Sequence, residues 1–146
     1  MLERYFAHFG DRAILERVPD DYEIYPRLGG QDGSEPVLPV GSLTEVLRIG
    51  VEHPKYGFTH YTYTNDGLRS DLHRVHVRFT PDGKVIFGIA MADTGEGSYA
   101  CACQIRDEMI LVTQAHKAFI GYKYPPSNDE AEFDADMIMW QNIGDA

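Results

Sequence analysis

Residues 84–116, KVIFGIAMADTGEGSYACACQIRDEMILVTQAH, constrain the fold of this chain more than any other stretch. Short apolar runs here are separated by residues 93–97 and by Arg106-Asp107, a pattern that predicts three successive β-strands joined by two tight turns. The middle strand, residues 98–105, would place Tyr99, Cys101, Cys103 and Ile105 on one face, because side chains alternate with a period of two. Two more strands come before it. Residues 58–64 alternate aromatic, Thr and His, and residues 72–79 put Val75, Val77 and Phe79 inward with Arg74, His76 and Arg78 outward. Asn65-Asp66-Gly67 and Thr80-Pro81-Asp82-Gly83 supply the turns. The expectation is a twisted antiparallel sheet of about five strands in meander order.

Helices flank it. Leu2, Phe6 and Phe9 lie near one helical face, and after a break at Gly10, Asp11 can cap a second piece that carries Ile14 and Val18. Residues 19–39 are rich in turn formers and read as loop. Ser42-Leu43-Thr44-Glu45 matches a capping box, opening a helix that Gly50 should stop. Near the C-terminus, Ser127-Asn128-Asp129 can cap a final helix whose first turns carry Glu130, Glu132, Asp134 and Asp136, where the helix dipole favours anions. Phe133, Met137 and Trp140 follow at helical spacing. The reading is one α+β domain over residues 1–146, with 126–146 as an acidic C-terminal helix or tail.

A chain of 146 residues can bury a core without disulfides or metals. The net charge of −10 argues against sequence-independent nucleic-acid binding, which needs phosphate neutralisation, and steers basic partners toward the surface. No run of about eighteen apolar residues occurs, so no membrane span is expected. The N-terminal residues carry charges within their apolar pattern and lack a signal-peptide core, and the two cysteines at i and i+2 of a strand suit no disulfide. A cytoplasmic setting is the expectation.

Candidate chemistry is sparse. Ala92-Asp93-Thr94-Gly95 resembles an aspartic-protease signature, but that chemistry needs two carboxylates sharing a proton, and a Gly-rich turn with an acidic tip explains the same residues. His73 and His76, three apart on a strand, fall on opposite faces and share no metal. His60-Tyr61-Thr62 echoes the His-x-Thr unit of two-histidine phosphoesterases without a second copy. Cys101 and Cys103 with His116 have the donors for zinc, yet mid-strand cysteines more often pack as small apolar residues. No metal or other cofactor and no catalytic set are expected.

Val18-Pro19-Asp20-Asp21-Tyr22, followed by Leu28-Gly29-Gly30, resembles the opening of the SUKH superfamily, the group of yeast cell-wall regulators and bacterial immunity proteins. Phe87-Gly88-Ile89-Ala90, Asp93 and Gly95-Glu96-Gly97-Ser98-Tyr99 are similar to its central segment. The resemblance implies an α+β domain that neutralises a toxin in the cytoplasm by binding it. Together with the acidic balance, it points to a non-catalytic, immunity or antitoxin-like module contacting a basic toxin through Asp93, Glu96, Asp129, Glu130, Glu132, Asp134, Asp136 and Trp140. The alternative is a small-ligand binder or small enzyme using a sheet concavity lined by His60, Tyr61, Tyr63, His76 and Tyr99. A homodimer through the C-terminal helix is the third arrangement the sequence leaves open.

Overall fold

The computed structural model describes residues 1–16, 41–53, 57–63, 67–92, 95–121 and 127–144. Their elements run α1 (Leu2–Phe9), α2 (Arg12–Leu15), α3 (Leu43–Glu52), β1 (Phe58–Tyr63), β2 (Leu72–Phe79), β3 (Val85–Met91), α4 (Ser98–Thr113) and α5 (Glu130–Gly144). This is an α+β arrangement built on a three-stranded antiparallel sheet in the order β1-β2-β3. Phe58 pairs with Phe79 and Tyr61 with His76 across β1 and β2; Val77 pairs with Phe87 and His76 with Gly88 across β2 and β3.

Period-two alternation on β2 sorts the side chains as the sequence predicts. Val75, Val77 and Phe79 are buried on the inner face, where Tyr5, Phe6 and Phe9 of α1, Leu43, Val46, Leu47 and Ile49 of α3, and Ile105 and Val112 of α4 meet them. Each large apolar side chain buried this way contributes about 1.5–3 kcal/mol relative to exposure. Tyr5 is fully enclosed; its hydroxyl donates to the Gly88 carbonyl at 2.7 Å, with the His76 carbonyl at 3.2 Å, and burial pushes its phenol up. A register shift between Leu72 and Arg74 moves His73 out of the ladder and leaves it exposed.

The two strands expected over residues 98–105 and 108–116 are replaced by one helix, α4, so among the described residues the sheet has three strands rather than about five. Seven of the 16 residues of α4 are the good helix formers Ala, Gln, Arg, Glu, Met and Leu, and neither Gly nor Pro interrupts it. Ile105, Met109 and Val112 lie on one helical face toward the core, and Arg106-Asp107, read as a turn, lies on its outer side. Short apolar runs fit either period, and here the helical one wins. The cysteines change accordingly: Cys101 is exposed and Cys103 half-buried rather than sharing a buried sheet face.

Capping follows the sequence closely. The Asp11 carboxylate accepts from the Ala13 and Ile14 amides at 3.1 and 3.3 Å and starts α2, although Ile14 faces outward and Leu15 takes the core position. Ser42 Oγ accepts from the Glu45 amide at 3.2 Å and starts α3. Gly50 does not stop α3, which continues to Glu52; the Phe79 ring lies where a Cβ on Gly50 would sit, so glycine serves close packing against β2. Asp129 accepts from the Glu132 amide at 2.8 Å and opens α5 as expected. In the β2–β3 turn, Lys84 N–H donates to Thr80 Oγ1 at 2.9 Å, and Gly83 holds φ +79. The loop expected over residues 19–39, Val18, and most of the Asn65-Asp66-Gly67 turn lie outside the described residues, as do Asp93 and Thr94.

Candidate functional site

The outer face of the sheet carries a row of polar side chains set by the register: Arg74, His76 and Arg78 on β2, with Thr59 and Tyr61 opposite on β1. Tyr61 and His76 are cross-strand partners with ring centroids 5.5 Å apart, and the Arg74 guanidinium sits 5.5 Å from the Tyr61 ring centre. Arg78 Nη1 donates to Thr59 Oγ1 at 2.9 Å. His76 lies flat across β3 at Gly88, where an added Cβ would come within 1.9 Å of its Nε2. Only 8% of it is exposed, and its Nδ1 has no hydrogen-bond partner among the described residues. Burial, then the neighbouring Arg74 charge, pull its pKa down to about 4.

The concavity expected from sequence is therefore divided. His60 pairs with Val77 and faces the core, 6.2 Å from Phe6, where burial lowers its pKa to about 4; Tyr61 and His76 face the other way. Tyr99 stands on α4, exposed, and not on the sheet. Tyr63 ends β1, and its side chain lies outside the described residues. One pair of the five, Tyr61 and His76, meets on the outer face.

The acidic residues singled out as contacts make contacts within the chain. Glu130 and Asp134 both accept from Lys117 Nζ, at 2.9 and 2.8 Å. Glu132 accepts from the Asn128 backbone and side-chain amides, and Asp136 is buried, accepting from Ser127 Oγ at 2.7 Å. Glu96 is exposed in the turn before α4, and Trp140 is half-buried with its ring against Gly121. Among the described residues no three His, Cys, Asp or Glu side chains cluster to hold a metal; Cys101 and Cys103, two apart on a helix, face different directions, and His116 is exposed beyond its end.

Sequence reasoning missed a charged network beside an open cleft of about 340 Å³ lined by His8, Gly10, Asp11, Ile14, Gly67, Leu68 and Arg69. Glu108 of α4 accepts from Arg69 at 2.7 Å and pairs with His8 at 2.8 Å, while Arg69 also holds Asp71 at 2.8 Å and lies 5.2 Å from the Phe9 ring centre. Arg69, and then His8, hold the Glu108 carboxyl below its ordinary range. These groups tie α1 and α4 to the segment leading into β2. No local pattern reveals them, because His8 and Glu108 are 100 residues apart.

Exposed apolar side chains were missed as well. On α4, Leu111 is 76% exposed, with Ile110 next to it in sequence, and Tyr99, 52% exposed, lies near the other end; on α5, Ile138 is 60% exposed and Met139 46%. Apolar residues therefore occupy both the inner and the outer sides of α4. Comparison with protein-family models, curated proteins and solved structures finds no match to this chain. No helix among the described residues is long and apolar enough to cross a membrane.

Proposed function

We propose that this protein is a non-catalytic protein-binding module whose contact surface is formed by the outward sides of α4 and α5. The observation that carries this reading is the exposure of Leu111, Ile110, Tyr99, Ile138 and Met139 on two helices. Contiguous exposed apolar side chains mark association surfaces, and Ile110–Leu111 and Ile138–Met139 are each adjacent exposed pairs. The acidic cluster supports the partner's class more than its contacts: a net charge of −10 draws in basic proteins, while several α5 carboxylates already hold groups of the same chain. A cytoplasmic immunity or antitoxin-like role against a basic toxin is the specific form of the proposal. Affinity capture with mass spectrometry tests it. A near-stoichiometric partner retained by the wild type and lost from L111E/I138E, at equal melting temperature, is expected. Equal retention by both forms, or no stoichiometric partner for either, refutes it.

A second reading rests on the Tyr61–His76 pair with Arg74 over the Tyr61 ring, an aromatic and cationic patch suited to a small planar anion. A thermal-shift screen of aromatic carboxylates against the wild type and Y61A separates it from the first: a shift seen only in the wild type favours the patch.

A further inference from the structure

α5 is joined to the sheet by charge. The Glu130 backbone amide is one of the groups that help hold the Asp82 carboxyl of the β2–β3 turn below its ordinary range, and the Glu130 side chain lies 4.0 Å from Lys84 Nζ at the foot of β3. Arg78, half-buried on the outer face of β2, lies in the fields of Glu132 and Asp129. On the other side Lys117 Nζ clamps Glu130 and Asp134 together. Three cations from three separate places in the chain thus converge on the first two turns of this helix. None of the described helices or strands packs extensively against α5. Its apolar attachments include Phe133, edge-on to Phe119 at 4.9 Å, and Trp140 over Gly121. Further along, Ile138 and Met139 point to solvent.

We infer that α5 is a charge-latched strap: it stays docked while Lys117, Lys84 and Arg78 hold its carboxylates, and leaves the body when those pairs are screened. The side chains at the latch are partly exposed, with Lys117 at 30%, Glu130 at 38% and Asp134 at 43%. Salt weakens pairs that are open to water in this way, the 4.0 Å Lys84–Glu130 pair and the longer-range field at Arg78 more than the direct Lys117 contacts. Release would part Phe133 from Phe119 and lift Trp140 from Gly121, uncovering aromatic surface that the docked strap keeps paired. The strap works in this way whether or not the protein-binding reading above holds.

Hydrogen exchange and fluorescence on the full chain test the inference, and Trp140, the one tryptophan, reports directly on the docked helix. Raising sodium chloride to about 1 M, where the screening length falls to roughly 3 Å, should shift Trp140 emission to the red. Exchange over residues 130–140 should rise, while β2 amides stay protected. K117Q at low salt should already show the spectrum and exchange of the salt-released wild type, and E130Q/D134N should match it. A strap held by its aromatic contacts would instead keep its protection in salt, and that result overturns the inference. So would K117Q behaving as wild type, or loss of β2 protection together with α5, which would mean global unfolding.

Discussion

Two histidines enclosed in the fold make its stability strongly dependent on pH. His60, on the core face of β1, and His76, on the outer face of β2, are both buried, and desolvation lowers each pKa from 6.5 to about 4. A buried imidazole with a depressed pKa stays neutral in the folded chain and takes up a proton on unfolding. Stability is therefore complete above the unfolded value, falls as pH drops through it, and levels off below the folded value. At pH 5 the unfolded ring is almost fully charged and the folded one almost fully neutral, a difference of roughly 2 kcal/mol per histidine, or about 4 kcal/mol for the two. That is a large part of the 5–15 kcal/mol typical of a domain. The carboxyls held low by arginines or a hydroxyl, such as Glu3, Asp71, Asp82 and Glu108, weaken the fold only nearer their own unfolded values of 3.8–4.5, so the window from pH 7 to 5 isolates the histidines. Urea unfolding followed by circular dichroism at pH 7 and pH 5 should give midpoints far apart, and H76Q should remove about half the difference. An unfolding free energy unchanged across that window refutes the argument that both rings are held neutral by burial.

Three substitutions probe the packing. G88A places a methyl within 1.9 Å of His76 Nε2 and should cost about 1–3 kcal/mol in chemical denaturation; combined with H76A, the penalty of the methyl should largely disappear, a coupling that a double-mutant cycle measures. G50A raises helix propensity by about 1 kcal/mol but drives a Cβ to 2.3 Å from the Phe79 ring, so net destabilisation in a thermal melt is expected despite the better helix former. S42A removes the acceptor for the Glu45 amide and should lower stability by about 1 kcal/mol, again read from urea midpoints, with S42D restoring most of it.

What local chemistry could encode was legible in the residues. Asp11, Ser42 and Asp129 cap helices where their side chains say they should, because a cap is decided within three or four residues. Alternation over residues 74–79 of β2 gives its inward set of Val75, Val77 and Phe79. Residues 98–113 were not legible: their apolar spacing satisfies both periods, and the chance to bury Ile105, Met109 and Val112 in the core beside α1 selects the helix. The candidate site divides along the same line. Its acidic residues were visible as a cluster, but whether Glu130, Asp134 and Asp136 face water or bind Lys117 and Ser127 depends on where a distant segment comes to rest. The burial of His76 beneath Tyr61, the splitting of the histidines between two faces of one sheet, and the joining of His8 to Glu108 were settled by tertiary structure alone, because burial and charge pairing arise between segments that sequence order keeps far apart.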